Sequence, residues 1–125
     1  MIRGIGIDLV EKERVVRAVR RWGGRFLGRL FTGREMDGCL KEEGWQGVMA
    51  ARFAAKEAVL KALGTGWGGD VTWKDVEVIF RSEEKPDVRL SGRAKDMARG
   101  CWVHLHISDG GRMVMAYALV ETKEE

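Results

Sequence analysis

Proline is almost absent from this chain of 125 residues: Pro86 stands alone against 17 glycines. That excludes a stiff proline-rich linker and a collagen-like repeat, and it points to tight turns and close backbone approaches. Cysteine is nearly as scarce. Cys39 and Cys101 form no C-x-x-C pair, so both are expected to be reduced and structural. No apolar run comes near the ~20 residues that span a bilayer, and the first residues lack a basic start, an apolar middle and a small-residue cleavage site, so a cytoplasmic location is expected. Charge of one sign is not in large excess either: Lys plus Arg number 22 and Asp plus Glu 19, a net of +3, which excludes a polybasic tail or an acidic solvating chain. What remains, 45% hydrophobic and 33% charged residues over 125 positions, suits one core and a single domain spanning residues 1–125. No internal repeat or low-complexity stretch interrupts it.

Residues 2–9 alternate with period two, Ile5, Ile7 and Leu9 facing one way and Gly4, Gly6 and Asp8 the other, which predicts a strand whose glycines let another element approach closely. From 10 to 30, Val15, Val19, Trp22, Phe26 and Leu30 recur at three and four residues, one apolar helical face on which Trp22 is expected in the core. Gly23-Gly24 should end or bend that helix, and Thr32-Gly-Arg-Glu35 fits a capping box opening a second, short one. Residues 48–63 predict the strongest helix, rich in Ala and Leu and closed by Gly64. Alternation over 75–80, 88–90, 102–108 and 113–120 predicts strands, with a turn around 84–86, a helix capped by Ser91 and reaching Arg99, and a closing β-hairpin turned by Asp109-Gly-Gly111. The tail 121–125 should fray.

Asp8 and Glu57 are the first residues to weigh for chemistry. One ends a glycine-faced strand; the other stands with Lys61 on a helix face otherwise made of small residues such as Ala50 and Ala54. If those faces pack, two carboxylates and an ammonium converge, a donor set that suits Mg²⁺ completed by waters and substrate phosphates. The plainer alternative is an i to i+4 pair of Glu57 and Lys61 worth about 0.3 kcal/mol. The glycine-rich loop 64–69 follows a helix, unlike a P-loop, so phosphate binding there would rest on its amides with Arg52, Lys56, Lys61 or Lys85 nearby. Arg14, Arg17, Arg21 and Arg25 form a stripe that is either a solvated face or a dock for an acidic partner or nucleic acid, with Trp22 as a stacking platform in the last case. His104 and His106 share a strand face at a spacing some zinc sites use, without a third ligand close in sequence. Neither a Gly-x-Ser-x-Gly elbow nor a cysteine beside a base is present.

Taken together, Gly4-Ile-Gly-Ile-Asp8, Glu13-Arg14, Phe31-Thr-Gly-Arg-Glu35 and above all Arg52-Phe-Ala-Ala-Lys-Glu-Ala58 running through Lys61-Ala-Leu-Gly-Thr-Gly66 resemble the holo-acyl carrier protein synthases, the small 4'-phosphopantetheinyl transferases. The resemblance spans most of the chain in order. It implies an α+β fold, an antiparallel-type sheet packed against a long central helix. It implies transfer of 4'-phosphopantetheine from coenzyme A to a serine of apo-acyl carrier protein, releasing adenosine 3',5'-bisphosphate, in support of fatty acid biosynthesis. Asp8 and Glu57 match the family's Mg²⁺ ligands and, with Lys61, its catalytic positions. Arg52, Lys61, Gly64, Thr65, Gly66, Lys85 and Ser108 match positions near the coenzyme A phosphates, and Arg14, Arg21 and Arg25 match the basic positions that meet the acidic carrier. The attacking serine's proton would pass to a carboxylate or to a water on the metal. Many relatives carry a histidine where this chain has Asp109, so a cofactor contact or acid–base role of that imidazole does not carry over. A single copy of the fold resembles the class that forms homotrimers with sites shared across subunit interfaces. Neither nucleic acid nor a membrane is an expected partner. A nucleic-acid-binding module and a Mg²⁺-dependent phosphohydrolase using the same carboxylates are the rivals, and the order of the motifs argues against both.

Overall fold

The computed structural model describes residues 1–37, 43–64, 71–80 and 85–123. Strand β1 (Ile2–Glu11) leads into helix α1 (Lys12–Leu30), the short α2 (Gly33–Met36) and the long α3 (Trp45–Ala62). After a 3₁₀ turn at Trp73–Asp75 come β2 (Val76–Ile79), β3 (Asp87–Leu90), α4 (Gly92–Met97), β4 (Cys101–Asp109) and β5 (Met113–Thr122). β1, β5 and β4 form an antiparallel sheet in that order, and β2 and β3 a separate antiparallel pair. This is the expected α+β arrangement, with α3 laid across one face of the three-stranded sheet.

The glycines of β1 decide how that layer closes. A Cβ on Gly4 would lie 1.9 Å from the Ala62 carbonyl oxygen, and one on Gly6 would lie 2.0 Å from that of Ala58, so the strand touches the helix backbone directly. Small residues line the rest of the contact: Ala50, Ala54, Ala55 and Ala58 from α3 meet Ala116 and Ala118 from β5, all fully buried. α3 is therefore covered on most sides, which explains its Ala-rich composition. The sheet's other face holds Ile5, Ile7, Leu9, Met115 and Tyr117, exposed in a single chain, with Ile7 at 57%.

At the helix ends, Thr32 and Glu35 form the capping box: Glu35 N–H donates to Thr32 Oγ1 at 3.2 Å, and Thr32 N–H donates to Glu35 Oε1 at 2.9 Å. Gly64 follows α3 at φ 76°, and the Asp109 carboxylate accepts from Gly111 N–H at 2.9 Å to turn the last hairpin. Two expectations are corrected. Ser91 sits at the N-cap of α4 without a side-chain hydrogen bond to it. Trp22 is 59% exposed rather than core; it is the last residue before Gly23, whose φ 58° and ψ −139° break α1, so one apolar stripe does not run through both halves. Cys101 is buried and free. Cys39, the turn at 84 and the tail's last two residues lie outside the described residues.

Candidate active site

Each two-residue step along β1 advances roughly 6.7 Å, close to one turn of helix, so the Gly4–Ala62 and Gly6–Ala58 contacts continue to Asp8 beside the turn that carries Glu57. Lys61, one turn on, donates to Asp8 Oδ1 at 3.2 Å and to the Ile7 carbonyl at 3.1 Å, and its Nζ stands 3.8 Å from Glu57 Oε2. Asp8 and Glu57 are mostly buried and Lys61 half exposed. Burial, and after it the adjacent Asp8 carboxylate, pushes the Glu57 carboxyl above its ordinary range, with Lys61 opposing the shift. One ammonium thus does not balance two converging carboxylates.

Asp8 Oδ2 is buried and meets no hydrogen-bond donor among the described residues. An orphaned carboxylate oxygen costs at least about 1–3 kcal/mol, and a divalent cation bridging to Glu57 would relieve it. Among the described residues no cluster of three His, Cys, Asp or Glu side chains forms around a common point; two carboxylates would suit an ion that takes its other ligands from water and phosphate. Hard oxygen donors in low number fit Mg²⁺.

The carboxylates open into a cleft of about 410 Å³ walled by Val15, Phe26, Phe31 and Phe53, with Arg14 at its edge. Phe53 is fixed by stacking on Trp73 at 5.3 Å between ring centroids. These aromatic walls escaped the sequence argument, since a phenylalanine at helical spacing reads as core.

Behind the cleft lies a second feature that sequence reasoning missed. Lys56 and Glu35, at 0% and 1% exposure, pair at 2.7 Å. Lys56 Nζ also donates to the Trp73 and Val76 carbonyls and sits 5.3 Å over the Phe31 ring, while Glu35 Oε2 accepts from Val78 N–H at 2.8 Å. Burial holds the Lys56 ammonium below its usual range, with Glu35 working against that. Lys56 is thereby excluded from the phosphate contact considered for it. The capping-box spacing and the Phe31–Glu35 motif pointed to Glu35, but neither pointed to its burial against Lys56.

Arg52 does not join the carboxylates: its guanidinium donates to the Glu35 carbonyl at 2.7 Å and the Val78 carbonyl at 3.0 Å and lies over Phe80. Gly64 is one turn beyond Lys61, whereas Thr65 and Gly66 lie outside the described residues. Lys85 is exposed at the entry to β3. Ser108 projects from the outer face of β4, opposite Met115, and so faces away from Asp8 of its own chain. Asp109 is held by Lys12 at 2.9 Å and by Gly111 N–H; the Lys12 hydrogen bond, then the Gly111 N–H, keeps its carboxyl below the ordinary range. Arg14, Arg21 and Arg25 are all exposed along α1. His104 is hydrogen-bonded to Glu121 at 3.0 Å and His106 stacks on Tyr117 at 5.1 Å.

Comparison with known proteins adds an independent line. A family model described as the 4'-phosphopantetheinyl transferase superfamily matches residues 4–118. A holo-[acyl-carrier-protein] synthase of Koribacter versatilis is 40% identical over 124 residues, covering 97% of this chain and 99% of that one. The crystal structure of the holo-[acyl-carrier-protein] synthase of Neisseria meningitidis superposes with a TM-score of 0.84 at 33% identity, covering 98% of this chain and 100% of the other. That of Bacillus anthracis, in complex with CoA (3',5'-ADP), gives 0.81 at 34% identity, covering 98% and 99%.

Proposed function

Because the chain belongs to the holo-acyl carrier protein synthases of the 4'-phosphopantetheinyl transferase superfamily, we propose that it transfers 4'-phosphopantetheine from coenzyme A to a serine hydroxyl of apo-acyl carrier protein. The products are holo-acyl carrier protein and adenosine 3',5'-bisphosphate, and the reaction supports fatty acid biosynthesis in the cytoplasm. No described helix is long and apolar enough to cross a membrane. The single observation carrying the mechanism is the convergence of Asp8, Glu57 and Lys61, with a buried Asp8 oxygen that meets no donor among the described residues.

Asp8 and Glu57 are the Mg²⁺ ligands. When bound, the ion neutralises the coenzyme A pyrophosphate and the charge growing on the leaving group. Lys61, held against Asp8 with half its surface open, is the second positive clamp on the phosphate being transferred. The serine oxygen bonds to that phosphorus as the bond to the bisphosphate oxygen breaks, and the serine proton leaves to a carboxylate or to water. Phe31 and Phe53 keep the approach dry on one side, strengthening each electrostatic contact. Arg14, Arg21 and Arg25 dock the acidic carrier, and Gly64, Thr65, Gly66 and Lys85 lie along the coenzyme A phosphates. Arg52 uses two of its five N–H donors on the Glu35 and Val78 carbonyls.

The domain works as a homotrimer. Ile5, Ile7, Leu9, Met115 and Tyr117 form an exposed apolar face for a second copy to cover, and Ser108 on that face would reach a neighbouring chain's site. Incubating the protein with apo-acyl carrier protein, coenzyme A and Mg²⁺ should add one phosphopantetheine to the carrier's intact mass, with no gain in the presence of chelator. A competent carrier left unmodified would overturn the assignment.

A further inference from the structure

Lys56 has no part in the chemistry above, yet it lies wholly buried one residue before Glu57. A lysine in a core costs a desolvation that only full pairing offsets, and here each bond of the ammonium ends on a different part of the fold. Its Nζ meets Glu35 Oε1 of α2 at 2.7 Å and donates to the Trp73 carbonyl of the 3₁₀ turn at 3.1 Å and to the Val76 carbonyl of β2. Three acceptors take up its three N–H donors. Glu35 continues the junction, accepting from Thr32 N–H at 2.9 Å and from Val78 N–H at 2.8 Å. Both aromatic walls of the cleft depend on it: Phe31 lies under the ammonium, and Phe53 stacks on Trp73.

At 100° per residue, Lys56 and Ala58 lie roughly 200° apart around α3, with Glu57 midway between them. Gly6 meets the helix backbone at Ala58 and Gly4 meets it at Ala62. A strand without side chains at those two positions sets the distance of closest approach but offers no stop against rolling. That stop is on the other side of the helix, at Lys56. We propose that Lys56 and Glu35 are positioning residues for transfer: they keep α3 from rolling on the glycine face of β1, and so hold the Glu57 carboxylate towards Asp8 with Phe31 and Phe53 closed beside it. This rests on the transferase reading.

Steady-state transfer, calorimetric binding of coenzyme A and of apo-acyl carrier protein, and thermal melts test it, with Leu105→Ala as the control. Leu105 is buried in β4, a strand that β5 separates from β1, and its truncation destabilises the core without touching the junction. At a temperature where every variant is folded by circular dichroism, Lys56→Met should lower kcat about 10²-fold and raise the Mg²⁺ needed for half-maximal rate. Its Kd for the carrier, and for coenzyme A without Mg²⁺, should stay as in the parent. Leu105→Ala should keep the parent's kcat despite its lowered melting temperature. Glu35→Gln retains an acceptor for a backbone N–H and should show the same split at smaller size. Adding it to Lys56→Met should cost little more, because the two act as one unit. A Lys56→Met protein with the parent's kcat, or losses of kcat that follow melting temperature alike in all three variants, overturns this proposal and leaves the transferase standing. So do additive losses in the double variant. If Lys56→Met does not fold, Glu35→Gln against Leu105→Ala decides by the same outcomes. A parent that transfers nothing to a competent carrier overturns both readings.

Discussion

Gly6 shows how much a missing side chain can determine. Its α-carbon sits so near the Ala58 carbonyl that a methyl group would stand 2.0 Å from the oxygen and 2.7 Å from the Ala62 nitrogen. Neither atom belongs to a side chain that can swing away, so Gly6→Ala must part β1 from α3. The expected loss is about 3 kcal/mol, read by denaturant unfolding, and transfer should fall further than stability alone explains because Asp8 moves away from Glu57. The pairing of Asp8 with Glu57 was legible from the glycines and alanines around them. Arg52 was not: it lies in the same helix motif, but only the position of β2 shows that its guanidinium is committed to two carbonyls.

Asp109 offers a pH test on the same scale. Its carboxyl is held below the ordinary range by Lys12 and Gly111, so the folded form binds its proton less readily than the unfolded form. The stabilisation is complete above the unfolded value of roughly 3.9 and disappears as pH falls through the lower folded value. Asp109→Asn should melt slightly below the parent at neutral pH, the exposed pair being worth at most about 1 kcal/mol. That gap should close in strong acid, as followed by thermal melts across pH.

Among the elements, α1 and α3 differ in how well sequence periodicity described them. α3 was legible because Ala and Leu favour helix and Gly64 stops it. α1 was only half legible. A 3.6-residue stripe assumes unbroken helix, and α1 breaks at Gly23, with Trp22 just before it at the surface rather than in the expected core. The join between α2, α3 and β2 was hidden for another reason, since a lysine at helical spacing reads as solvated and nothing local marks Lys56 as a buried partner of Glu35. Lys56→Met leaves the Glu35 carboxylate in the core with its two backbone N–H donors alone. The expected cost is about 3–5 kcal/mol, measured by urea unfolding, and the Phe31 and Phe53 walls of the cleft should loosen with it.

At the scale of the whole molecule, the sheet has one face sealed by α3 and the other bare. The alternation in β1 separated the two faces correctly, but it could not say that the isoleucines would look outward; their hydrophobicity suggests the core, and only the glycine contacts assign the inner face to α3. Three copies joined through this bare face would bring Ser108 and the Asp109 hairpin of one chain to the next. Replacing Tyr117 with Asp at the centre of the face should convert a trimer to monomers in multi-angle light scattering and reduce transfer, whereas an unchanged mass would place the subunit contact elsewhere.

The central claim is that Asp8 and Glu57 hold the metal that makes transfer possible. It is tested most directly by single-turnover transfer at saturating coenzyme A and apo-carrier as Mg²⁺ is raised stepwise, for the parent and for Glu57→Gln. The parent's rate should rise from near zero to a plateau, and Glu57→Gln should stay at least about 10²-fold lower at every concentration while keeping the parent's fold by circular dichroism. A parent indifferent to Mg²⁺, or a Glu57→Gln protein that reaches the parent's plateau, would contradict it.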